Sequence, residues 1–213
     1  MTRPTLSLFA SLLLSLLLTP ACRGQNRTVL GKLREARKAA AKLMEDGNYK
    51  EALTAYAELT TRQRWDGLEL VVEDLREGLT CIGELGQDEA FDTFVGNAVR
   101  AQRGNWRLLA AAADGYRQAD HRGTIVGGEF QRGQRPDHDE WHNVHERDRV
   151  RALQFMRDAE LLARRERNQR GLSQFYRDCA KLHARQGSQS WRMQTLTDLD
   201  ELPDVARGYD HDG

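Results

Sequence analysis

Three histidines are spaced as metal ligands on one helix would be. His138, His142 and His145 stand at positions i, i+4 and i+7, and neutral imidazole is a common ligand of Zn²⁺. The zinc metalloprotease pattern needs Glu directly after its first His, whereas Asp139 follows His138. Because the segment follows a Gly-rich stretch and lacks an apolar face, we favour a solvated linker. A metal-binding protein is the alternative.

Other catalytic patterns are missing from the sequence. There is no Gly-rich phosphate loop and no nucleophile elbow, and no spacing singles out a Ser/His/Asp or Cys/His set. Arginines are dense from Arg122 to Arg151, but acidic residues alternate with them, which predicts a solvated face. Lys and Arg together number 32, as do Asp and Glu, so no net charge indicates a nucleic-acid partner. We expect no enzyme and no cofactor.

The N-terminus has the pattern of a secretory signal. An apolar stretch runs from Leu6 to Leu18 and is followed by Thr19-Pro20-Ala21-Cys22, which predicts a signal peptide over residues 1–21 and export. The site resembles that of bacterial lipoproteins, in which the Cys is acylated, although Thr19 stands where Leu is usual. Either Cys22 carries a lipid, the only membrane contact we expect, or ordinary cleavage leaves it free. We predict a location in the periplasm, at the outer membrane or at the cell surface.

Apolar residues at three- and four-residue steps predict an all-α fold. After a linker at 22–28, such stripes recur through residues 29–119 and return in a helical hairpin at 147–186. Gly residues crowd the intervening stretch, which we expect to be an irregular Gly/His-rich connection over 120–146. Within it, the segment from Gly123 to Gly133 either packs on the helices as a small hairpin or stays mobile. No period is sustained in 187–213, so we predict an extended tail there.

One segment resembles a known helical repeat. Residues 47–56 place a Gly at a turn, then Tyr49, Ala52 and Tyr56, and are similar to the second half of a tetratricopeptide repeat. A weaker match begins at Trp106. The resemblance implies a short α-solenoid of helical hairpins, and an ordinary hairpin without repeat ancestry is the alternative.

Four longer stretches resemble the N-terminal region of large exported bacterial proteins of the alpha-2-macroglobulin family. They are residues 105–113, 123–133, 146–153 and 191–203. In that family, tetratricopeptide-like helices precede domains that trap proteases, often through a Cys-Gly-Glu-Gln thioester. This sequence contains no Cys-Gly-Glu-Gln, so the resemblance implies the leader region alone and carries over no functional residue.

Taken together, these features predict a non-catalytic exported scaffold that binds another protein. Tyr49, Tyr56, Trp106 and Tyr116 are the aromatic residues that we expect along its grooves, since α-solenoids bind partners on extended concave surfaces. The same residues would equally serve as core.

Overall fold

The computed structural model describes residues 21–62, 67–133, 141–166, 171–184, 200 and 206–207. Within these ranges, 75% of the residues that can be interpreted are helical, so the predicted helical character is confirmed. The helices are α1 (Ala21–Glu45), α2 (Tyr49–Thr61), α3 (Leu68–Leu85), α4 (Phe91–Ala101), α5 (Trp106–Gln118), α6 (His145–Ala163) and α7 (Leu172–Ala184). The strands are β1 (Arg122–Val126), β2 (Glu129–Arg132), β3 (His142–Asn143) and β4 (Ala206–Arg207).

Helices α1 and α2 form a tight pair. Gly47 adopts φ 77°, a left-handed conformation that suits a residue without Cβ, and the amide of Asn48 donates to the carbonyl of Leu43 at 2.8 Å. Beyond this turn, Ala40 and Ala52 are both fully buried, which lets the two backbones approach. The small core of this pair also includes Leu33, Tyr56, Leu59 and Cys81.

The remaining helices share a larger core. Helix α2 packs on α3 and α4, α3 packs on α5, and α5 packs on α6, which in turn contacts α7. The apolar stripes of these helices meet in one cluster, so each helix covers its neighbour's buried face. Its most deeply buried members are Leu75, Val95, Ala98, Leu108, Ala112, Ala152 and Ala159.

A small antiparallel sheet interrupts the helices between α5 and α6. Its strand order is β2-β1-β3-β4, and Val126 pairs with Glu129 across the two-residue turn Gly127-Gly128. Both glycines have positive φ, 60° and 87°, as a two-residue hairpin turn requires. The stretch that the sequence predicts as irregular is therefore ordered pairing at residues 122–132, because the two glycines form the turn rather than break the structure.

The ends of the chain are described only in part. Residues 22–28, expected as a linker, belong to α1, since the helix begins at Ala21. The predicted signal peptide, Ala21 excepted, lies outside the described residues. Within the tail expected to be extended, the structure describes Asp200 and strand β4, which pairs with β3. No helix in the described part of the chain combines the length and the apolar character needed to cross a membrane.

Candidate functional site

A concave groove of about 880 Å³ lies between α3, α5 and α7. Its floor is apolar and contains several small residues, which leave the space that larger side chains would fill. The apolar lining consists of Val72, Trp106, Ala110, Ala111, Ala113, Met156, Phe175 and Leu182. A groove of this composition suits a large apolar side chain of a ligand.

One end of the groove is built around Trp106. The ring of Phe175 contacts the indole edge-on with centroids 5.4 Å apart, and the guanidinium carbon of Arg107 lies 4.3 Å from the indole centroid. Glu166 joins both side chains, since its Oε2 lies 3.3 Å from Nη1 of Arg107 and 3.5 Å from Nε1 of Trp106. These contacts hold the indole in one orientation.

Asn105 fixes the position of that end. This fully buried residue is the N-cap of α5, and its Oδ1 accepts hydrogen bonds from the amides of Arg107 and Leu108 at 3.1 and 3.3 Å. Its Nδ2 donates to the carbonyl of Leu68 at 2.9 Å. A single side chain therefore ties the first turn of α5 to the first turn of α3.

The rim of the groove carries both signs of charge. Acidic and basic side chains are equal in number: Glu69, Glu73, Asp114 and Asp178 against Arg76, Arg107, Arg117 and Lys181. Several of them pair within one helix, for example Arg117 with Asp114 at 2.5 Å on α5. The rim therefore offers mixed polar contacts rather than a field of one sign.

The four aromatic residues singled out in the sequence lie in different places. Trp106 is only 6% exposed but lines the groove. Tyr56 and Tyr116 are buried in the two cores, and Tyr49 is half-buried in the smaller one. Burial and the nearby carboxylate of Asp92, to which its hydroxyl donates at 2.7 Å, raise the pKa of Tyr116.

The arginines expected on a solvated face include one that is buried. The side chain of Arg132 is 1% exposed and forms ion pairs with Asp148, which is fully buried, and with Asp92. Burial alone would raise the pKa of Asp148, but hydrogen bonds from Arg132 and His121 bring it below its usual range. The alternation of acidic and basic residues could not reveal this, because a buried pair and a solvated face have the same composition.

The described residues do not form the single helical face that the metal-binding alternative would need at the three histidines. His142 lies on β3, and His145 is the first residue of α6, so the helix begins only after the second histidine. His138 lies outside the described residues. Among those that are described, no group of three or more His, Cys, Asp or Glu side chains is placed to hold a metal ion.

The three cysteines lie on three different helices. Cys81 and Cys179 are free thiols, the first buried and the second half-buried. Cys22, the predicted lipidation site, lies in the first turns of α1. No disulfide joins the described cysteines.

Comparisons with known proteins add no family to this description. Neither the family models, nor the curated proteins, nor the solved structures contain a match to the chain. The groove and the buried charge network are therefore interpreted from their own chemistry.

Proposed function

We propose that this chain is a non-catalytic helical scaffold that binds a segment of another protein in the groove between α3, α5 and α7. The observation that carries the proposal is the apolar floor of that groove, with Trp106 held rigidly at one end. Burying one large apolar side chain there would contribute about 1.5–3 kcal/mol. A preformed floor lowers the ordering cost of binding.

The expected occupant is an amphipathic polypeptide segment. A large apolar side chain would insert beside Trp106 and above the alanines of α5, and charged residues of both signs would meet the rim. Aromatic anchors of this kind, surrounded by polar contacts, carry most of the affinity in protein interfaces. The repeat-like hairpin at residues 47–56 supports an α-solenoid origin for the scaffold, with the sheet as an insertion.

The cellular setting is part of the proposal. The apolar segment and Cys22 support an exported protein in the periplasm, at the outer membrane or at the cell surface, tethered there if Cys22 is acylated. The resemblance to the leader of alpha-2-macroglobulin-like proteins supports the same compartment.

Intact-mass analysis of wild type and Cys22→Ser tests both export and acylation, because acylation adds mass only to the wild type. Absence of cleavage in the wild type would contradict export through this signal.

The groove itself is tested by filling it. Ala110 is half-buried on the groove floor, so Ala110→Trp places an indole in the space that the partner would use. Ala41→Trp adds the same group to an exposed position of α1 and is the matched control. In pull-downs from an envelope extract, we expect wild type and Ala41→Trp to recover equal amounts of one partner protein. Ala110→Trp should recover at least tenfold less of that partner. Recovery by all three proteins alike would exclude the groove as the binding site.

A further inference from the structure

Two histidine rings meet where the sheet joins α6. His121 immediately precedes β1 and His145 begins α6, and their ring centroids are 4.7 Å apart in an edge-to-face arrangement of 73°. Beside them, the amide of Val144 donates to the carbonyl of His121 at 2.7 Å. The pair therefore lies in the junction between the two parts of the fold.

Asp148 determines where His121 carries its proton. The imidazole Nδ1 lies 2.8 Å from Oδ2 of this buried carboxylate. Because an ionised carboxylate can only accept hydrogen bonds, Nδ1 must be the donor in the neutral ring.

The charged groups around the two rings leave little counter-charge for a second cation. They are Glu146, Arg147, Asp148 and Arg149 on α6, Arg132 on β2, Asp92 on α4, Asp120 before β1 and Arg122 on β1. Every carboxylate in this set forms an ion pair with an arginine of the same set.

His145 also occupies a position that disfavours positive charge. It is the first residue of α6, where the aligned peptide dipoles already present the positive end of the helix. Partial shielding of the ring from water, followed by the proximity of His121, lowers the pKa of His145. These three effects disfavour a proton on this partly exposed imidazole while the junction is closed, and the charges of Glu146 and Asp148 act against them.

We propose that the junction between the sheet and α6 is an acid-sensitive switch, closed while His145 is neutral and opened when His145 takes up a proton. In the open form the ring has ordinary solvation, so it binds a proton more readily than in the closed form. As pH falls below about 6.5, the open form gains by up to about tenfold per pH unit for one proton. The closed form is favoured again as pH rises.

The carboxylate of Asp88, next to the C-terminal end of β2, acts in the opposite direction. Asp88, in the turn before α4, lies against Gly133. A Cβ built on Gly133 would be 3.1 Å from the Cβ of Asp88. Burial and the charge of Asp120 raise the pKa of Asp88, so the folded form holds its proton more tightly than the unfolded chain. Protonation of Asp88 therefore stabilises the structure as pH falls and cannot account for acid-induced opening.

Amide hydrogen exchange of the full chain at pH 7.5, 6.5 and 5.5 tests the switch. In wild type we expect protection factors at Thr124–Val126 to fall about fivefold between pH 6.5 and 5.5, with those in α3 and α5 unchanged. His145→Gln should remove this dependence, and His183→Gln, at an exposed position of α7, should retain it.

Several results of the exchange experiment would contradict the switch. Equal pH dependence in wild type and His145→Gln, a flat wild-type profile, or a uniform loss across α3 and α5 would overturn the proposal. Should His145→Gln fail to fold, titration of the His145 ring by NMR in wild type decides instead. Proton uptake with the ordinary histidine pKa near 6.5, while the sheet stays protected, would overturn the proposal as well.

Discussion

The guanidinium of Arg132 donates two hydrogen bonds to the carboxylate of Asp148, from Nη1 to Oδ2 at 2.6 Å and from Nη2 to Oδ1 at 2.8 Å. Neither side chain is more than 1% exposed. Because Arg132 ends β2 and Asp148 lies in the first turn of α6, this bidentate pair fastens the sheet to the helices.

Removal of one partner of this pair should be costly. We expect Asp148→Asn or Arg132→Met to lower the free energy of unfolding by about 3–5 kcal/mol, since each removes the bidentate partner of a buried charge and leaves it only with more exposed partners. Urea denaturation at pH 7.5 measures the change. Arg122→Gln, which breaks the largely exposed pair with Asp120, is the control and should cost no more than about 1 kcal/mol. Equal losses in all three variants would contradict the distinction between buried and exposed pairs.

Two glycines of α3 should respond oppositely to alanine. A Cβ at Gly78 would lie 2.8 Å from Cε1 of Phe94, so Gly78→Ala should destabilise the fold by about 1–3 kcal/mol through overpacking. No atom lies within 4 Å of a Cβ at Gly83, where alanine should add about 0.5–1 kcal/mol through its helix propensity. Thermal and chemical denaturation should show opposite signs, and a stabilising Gly78→Ala would rule out the close approach of α3 and α4.

The cap of α5 should matter more than that of α2. Asn105→Ala removes two accepted hydrogen bonds and the donor to the Leu68 carbonyl, for an expected loss of about 2–3 kcal/mol. Asn48, at the corresponding position before α2, makes no side-chain capping bond, so Asn48→Ala should change stability by less than about 0.5 kcal/mol. Chemical denaturation of both variants gives the comparison, and similar losses would argue against the Asn105 contacts.

Cys81 should be chemically inert in the folded protein. Burial and then the charge of Glu77 raise the pKa of its thiol to about 11, so roughly one molecule in a thousand is thiolate at pH 8. In the unfolded chain about one quarter would be thiolate. Iodoacetamide, followed by mass spectrometry, should therefore modify Cys81 at least a hundredfold faster in urea than in the native state. In the native state, half-buried Cys179 should react faster than Cys81. Rapid native labelling of Cys81 would show that this helix face opens.

Spacing of apolar residues was sufficient to predict the helices but not the sheet. Leu75, Ile82 and Phe94 lie on predicted stripes and are buried, because a helix with one apolar face must cover it. Gly127-Gly128 was interpreted as a helix breaker, although a pair of glycines between short strands is also a hairpin signal.

The groove and the buried charge network could not be predicted from the sequence, because both depend on contacts between distant parts of the chain. Trp106 was among the aromatic residues expected at a binding surface, but Phe175 and Glu166, which hold it, come from distant parts of the chain. Arg132 and Asp148 likewise meet only because the hairpin folds back onto α6. No local pattern encodes such contacts, since composition is the same for a buried pair and for a solvated one.

The pairing of β3 with β4 has a consequence for the time course of synthesis. Strands β1 and β2 are separated by two residues and can pair as soon as both are free to fold, whereas His142 must wait for Arg207. Until then, one edge of the incomplete sheet presents open backbone groups to other chains. Slow emergence of the segment between β3 and β4 would prolong that exposed interval, so a chaperone that shields strand edges would assist folding most during this late phase.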